Sequence, residues 1–192
     1  MSSRTRTRNR LYLVGVLPAL LMLLVSGRIA LLLQEESSGL SSFSAEQYDA
    51  ARDGFAANQV LNPFEPWLAH FDEGTARHRG GDLDGALTAY EDALDEDVPA
   101  DWVCAVRNNL ALAHEGIGDA AAETEGLVAA EEGWTTGRAV LGTCLGKDAD
   151  PDSTAIDDRL AAKLEGRDPS AAPSPTDPPP PADTLEERQR QL

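Results

Sequence analysis

Two cysteines, three histidines and a few adjacent carboxylates are the residues of this 192-residue sequence with the most chemistry to offer. Cys104 and Cys144 are its only cysteines. They form no CxxC pair, and no basic cluster beside either one depresses a thiol pKa, so thiol redox catalysis is not indicated. Outside the cytoplasm, two thiols in one small domain pair. Such a bridge closes a loop of about 41 residues and stabilises by roughly 4 kcal/mol in the loop-entropy model. Two buried free thiols are the alternative. His70, His78 and His114 are scattered over helical positions without an HExxH or a paired CxxC, so they read as surface or interhelical histidines rather than metal ligands. Glu131-Glu132 and Asp157-Asp158 read as solvated faces, not as a general acid with its base. With no nucleophile elbow, P-loop or dinucleotide fingerprint either, the sequence is expected to carry no catalytic, metal or cofactor site.

The charge is strongly partitioned. Arg4, Arg6, Arg8 and Arg10 precede an apolar run, and the first acidic residue is Glu35. From Arg28 onward the chain holds 12 basic and 33 acidic residues, a net of −21. A domain so acidic repels phosphate backbones, which argues against nucleic acid as a partner. It repels anionic lipid heads as well, so charge alone predicts that it stands off a membrane. Aromatics are only 5% of the residues and isoleucine occurs three times, as Ile29, Ile117 and Ile156. Ala and Leu dominate the apolar set, and both favour helix over sheet. The expected fold class is all-α.

Residues 11–27 carry no charge, and 29–33 extend the run past a single Arg28. Residues 11–33 span about 35 Å as a helix, more than a hydrocarbon core of roughly 30 Å. Arg28 sits near the far end, where its stem can snorkel to the headgroups. The alternative, a cleaved signal peptide, needs small residues around the cleavage site, and Arg28 occupies one of those positions. Four arginines on the short leading side place that end in the cytoplasm and the remainder outside. The expected organisation is a basic N-terminus over 1–10, a transmembrane helix over 11–33, a polar linker over 34–43, a helical domain over 44–166 and a disordered Pro-rich tail over 167–192.

Within the domain, Ser44 and Gln47 fit a capping box opening a helix with Tyr48, Ala51 and Phe55 on one stripe. Pro66 suits a first helical position. The helix it begins ends at Gly80-Gly81-Asp82. A second, from Leu83, buries Ala86, Leu87, Tyr90, Ala93 and Leu94 and stops before Pro99. A third runs from Asp101 to about His114 and ends at Gly116-Ile117-Gly118-Asp119. Segments at 120–132, 134–145 and 153–164 follow, the last capped by Asp152 or Ser153 and carrying Ile156, Leu160 and Leu164.

Gly74, Gly81-Asp82, Ala86, Tyr90 and Ala93-Leu94 are echoed in part by Asn109-Leu110-Ala111 and Gly118-Asp119, an offset of 37 residues between the two Gly-Asp pairs. This pattern resembles the tetratricopeptide repeat (TPR), in which small residues let paired helices approach and an aromatic fills the gap between them. Glu123 stands where the repeat calls for alanine. The anchor, Pro66-Trp67 ahead of Gly74-Thr75-Ala76, and the stretch 104–113 are together similar to bacterial membrane-anchored TPR proteins associated with MoxR-type ATPases and von Willebrand A-domain proteins (Bat-like clusters).

The resemblance implies a scaffold in an envelope complex, with a protein partner and no small-molecule substrate. It also implies a binding groove lined by Phe71, Thr75 and His78 of the first repeat and by Arg107, Asn108 and Leu112 of the second. Asn109 stands where TPR grooves hold a peptide carboxylate, although an Asn there more often bonds an adjacent turn. A structural spacer or regulatory subunit, partnering through its membrane helix around Gly15 and Ala19, is the competing expectation.

Overall fold

The computed structural model describes residues 3–60, 62, 64–146 and 149–166, with side chains from residue 15 onward. The expected Pro-rich tail over 167–192 lies outside the described residues. Seven α-helices account for most of them, and among the described residues there is no strand. They are α1 (Ser3–Ser44), α2 (Tyr48–Asn58), α3 (Pro66–Arg79), α4 (Leu83–Asp95), α5 (Ala100–Thr124), α6 (Leu127–Leu141) and α7 (Pro151–Leu164), with a short 3-10 turn at Gly142–Cys144.

The segment 34–43, read from its polarity as a linker, is instead helical and lies in the last quarter of α1. It is helical because it has a partner. The Phe55 ring of α2 lies where a Cβ on Gly39 would be, and Leu40 and Phe43 join Tyr48, Ala51, Phe55 and Ala76 in a small core. Ser44 therefore does not cap α2; its hydroxyl donates to Leu40 O at 2.9 Å within its own helix. The residue before α2, Gln47, makes no side-chain cap.

The turn between α3 and α4 falls where its glycines predict. Gly81 adopts φ +84°, Asp82 N donates to Arg77 O at 2.9 Å, and Gly81 N donates to His78 O at 3.0 Å. These are the two bonds of a Schellman cap, after which the Asp82 carboxylate accepts from Gly85 N to start α4. On α4, Ala86, Tyr90 and Ala93 form the buried stripe, and Tyr90 packs over Gly74 of α3. Trp67, Leu68 and Phe71 complete this core with Val106, Leu110 and Ala113 of α5.

The expected break at Gly116-Ile117-Gly118-Asp119 is absent, since α5 continues to Thr124. Both glycines are points of helix contact. A Cβ on Gly116 would stand 2.9 Å from Leu83 Cδ1, and one on Gly118 would stand 2.6 Å from Trp134 Cδ1. The reversal comes at Gly126, with φ +96° and its N–H donating to Ala121 O. The two segments expected at 120–132 and 134–145 are thus the end of α5 and a single α6. A second core gathers Ala111, Ala130, Trp134, Leu141, Ile156 and Leu160. At α7, Asp150 rather than Asp152 or Ser153 is the N-cap, accepting from Ser153 N, and Pro151 opens the helix.

Candidate functional site

Buried polar side chains concentrate along the seam where α5 meets α7 and the end of α6. Cys104 in the first turn of α5 and Cys144 at the close of the 3-10 turn are at disulfide distance, with Cα atoms 5.6 Å apart. Nearly one turn further along α5, the Arg107 guanidinium donates to Val140 O at 2.7 Å. Asn108 follows it and donates to Asp150 Oδ2 at 3.0 Å. The Ser153 hydroxyl sits between Asn108 Oδ1 at 2.6 Å and Asp150 Oδ2 at 3.0 Å. Burial raises the Asp150 carboxyl, but bonds from the Asn108 amide and from the Ser153 backbone and hydroxyl outweigh it and hold the group below its ordinary value.

Two turns on, Glu115 is buried and bonded to both cations of α7, accepting from Arg159 Nε at 2.7 Å and pairing with Lys163 Nζ at 2.7 Å. Burial pushes this carboxyl up, while the bonds and charges of Arg159 and Lys163 pull it further down, so it lies below the usual range. Lys163 also pairs with Asp119 at 2.6 Å and lies 5.9 Å from the centroid of the Trp134 ring. The Trp134 indole N–H donates to Asp119 Oδ1 at 2.9 Å. His114 is half-buried, and this desolvation lowers its pKa against an opposing pull from Glu91.

This seam is built for bracing. Ser153 is fully buried, so no substrate reaches its hydroxyl, and its bonds are those of a helix cap. Among the described residues, no group of three or more His, Cys, Asp or Glu gathers to hold a metal ion.

The residues expected to line a groove do not share an open face. Phe71 is packed between Trp67 and Tyr90, with ring centroids at 6.3 and 5.9 Å. Thr75 is fully buried and donates to Phe71 O at 3.0 Å. Asn109 is buried too, donating to Ala105 O at 2.8 Å, the adjacent-turn bond. His78 is partly buried, its ring edge-on to Tyr90 at 6.4 Å. Arg107 and Asn108 join the α5–α7 seam, and Leu112 packs on the second core. The physical reason lies in α3, which buries nine of its fourteen residues, Phe71 and Thr75 among them.

Sequence reasoning missed the partners Asp150, Ser153, Glu115, Arg159 and Lys163. Their signal was matched spacing: Asn108, Glu115 and Asp119 on α5 pair in order with Ser153, Arg159 and Lys163 on α7. The other conspicuous surface is on α1, where Leu20, Leu21, Met22, Leu23 and Leu24 are each more than half exposed. The stretch Gly15–Ser44 is long and apolar enough to cross a membrane. Comparison with protein-family models, curated proteins and solved structures returns no match.

Proposed function

We propose that this chain is a single-pass membrane protein whose helical-hairpin domain, TPR-like in character, serves outside the cytoplasm as an adaptor for a protein partner. The observation that carries the reading is the apolar surface of α1, left exposed over most of residues 16–33, whereas the later helices bury most of their large apolar side chains. Water does not tolerate such a surface at this length, and lipid does. Three features support the rest. The leading arginines favour a cytoplasmic N-terminus. The Cys104–Cys144 pair suits an oxidising compartment. The succession α1–α2, α3–α4, α5–α6, with Gly74 beneath Tyr90, has the character of a hairpin array of the kind used to bind other proteins. The resemblance to Bat-like envelope scaffolds points the same way. With a net of −21 from Arg28 onward, the favoured partner surface is basic or neutral.

Crosslinking in intact cells, followed by mass spectrometry of the captured protein, tests the reading. It is then repeated with α1 residues 11–33 exchanged for an unrelated membrane helix. An adaptor captures the same partner in both experiments. Loss of the partner on exchange supports instead the spacer that associates through its membrane helix.

A further inference from the structure

The helices α1 to α6 alternate in direction, which sorts their connections to two ends of the array. Residues 45–47, 80–82 and 125–126 lie at one end, and 59–60, 64–65, 96–99 and 142–146 at the other. The second is the end from which α1 leaves the domain toward residue 15. Along α1 the pairing with α2 is traceable step by step: Phe55 lies on Gly39, Asn58 donates to Glu36 at 2.7 Å, and Arg28 bonds the Val60 carbonyl. Arg28 also pairs with Glu35 at 3.2 Å.

Arg28 stands five residues before the end of the apolar run at Leu33, or about 7 Å along the helix. The Arg28 bond sets Val60 near the last apolar turn of α1, in which Leu31 and Leu33 are exposed and Leu32 is buried. Among the described residues, the large exposed hydrophobics outside α1 are Val60, Phe64, Leu127 and Val128. Leu127 and Val128 sit at the far end. Val60 and Phe64 are 62% and 64% exposed at the near end, where the Arg28 bond ties Val60 to α1.

Resting on the membrane-anchor reading of α1, we propose that Val60 and Phe64, between α2 and α3, make a second membrane contact. Val60 and Phe64 enter the lipid surface at headgroup depth. The domain thus sits end-on against the bilayer, in place of the stand-off that its charge alone predicts. Arg28 serves both contacts. Its guanidinium meets the headgroup level, where a snorkelling arginine belongs, and its bond to Val60 O holds the loop at that depth. Shallow apolar side chains bind an interface without needing basic charge, so an acidic domain can use them.

The test is photocrosslinking of the full chain in nanodiscs of phosphatidylcholine with phosphatidylglycerol. p-Benzoylphenylalanine replaces Leu24, Phe64 or Val128 in turn, all exposed positions where the larger side chain meets open space. The expected result is lipid adducts at 24 and 64 and none at 128. Adducts at 24 alone overturn the loop contact and leave the anchor standing. Adducts at 64 and 128 alike overturn the end-on seating. No adduct at 24 overturns the anchor and this contact with it.

Discussion

Gly133 of α6 rests on the backbone of Gly118 of α5, so that a Cβ on Gly133 would stand 2.7 Å from Gly118 N and 2.8 Å from its Cα. The two helices meet there main chain to main chain, and no flexible side chain is available to give way. Gly133→Ala should therefore destabilise the domain by about 1–3 kcal/mol, the cost of overpacking a tight contact. Thermal unfolding measures this. Gly15→Ala is the matched control, because nothing lies within 4 Å of its added methyl. Equal melting temperatures for the two variants would refute the close approach.

The Cys104–Cys144 pair joins residues 40 apart in sequence. In the loop-entropy model its loss costs roughly 4 kcal/mol. The double substitution Cys104→Ser, Cys144→Ser should lower the urea midpoint of the detergent-solubilised chain, and reductant should move the native protein to nearly the same value. A midpoint insensitive to reductant would contradict the bridge.

Glu115 is buried and faces two partly buried cations, so Glu115→Gln leaves Arg159 and Lys163 short of compensation. Breaking a buried pair from one side costs about 3–5 kcal/mol. Replacing Arg159 and Lys163 by Met together with Glu115→Leu should recover much of that loss. Chemical denaturation of the single and triple variants checks both halves.

Stability should fall in two stages on acidification. Burial lowers His114 from its ordinary 6.5. Below that value the unfolded chain takes up a proton that the folded chain resists, and stability declines until the folded imidazole also titrates. His114→Gln should remove this upper stage. Glu115 is held below its ordinary 4.5 by its cations. Its contribution is full above that value and is lost as pH falls through the depressed folded pKa. Denaturation midpoints from neutral pH to about pH 3 give the profile. An H114Q profile matching the native one would contradict the assignment of the upper stage.

Asn108 ties α5 to the cap of α7. Asn108→Leu strips the bonds to Asp150 and Ser153 from a buried site, at a cost of about 1–3 kcal/mol. Amide exchange should then quicken first in the opening turns of α7 while α3 and α4 keep their protection. Uniform loss of protection would show that Asn108 acts on the whole fold instead.

Helix content, the apolar run of α1 and the turn at Gly80-Gly81-Asp82 were legible in the sequence because each rests on local chemistry: propensity, hydrophobic length and a left-handed glycine. Gly116 and Gly118 misled for an equally physical reason. A glycine that ends a helix and one that admits a neighbouring indole look alike in sequence, and only Trp134, placed by the reversal at Gly126, tells them apart. The polar stretch 34–43 read as a linker because its partner, Phe55, lies across a hairpin. The seam from Asn108 to Lys163 joins residues more than 40 apart, and no local pattern fixes the register between α5 and α7. The groove residues were placed by repeat register, which gives a face of the helix but not what covers it.

The account stands on α1 crossing a bilayer with the helical domain beyond it. Protease added to intact cells bearing an N-terminally tagged chain tests this most directly. The predicted result is loss of everything after about residue 33, with a short tagged fragment protected inside, as a helix of some 20 apolar residues should be. A full-length chain that resists until the cells are lysed would contradict it.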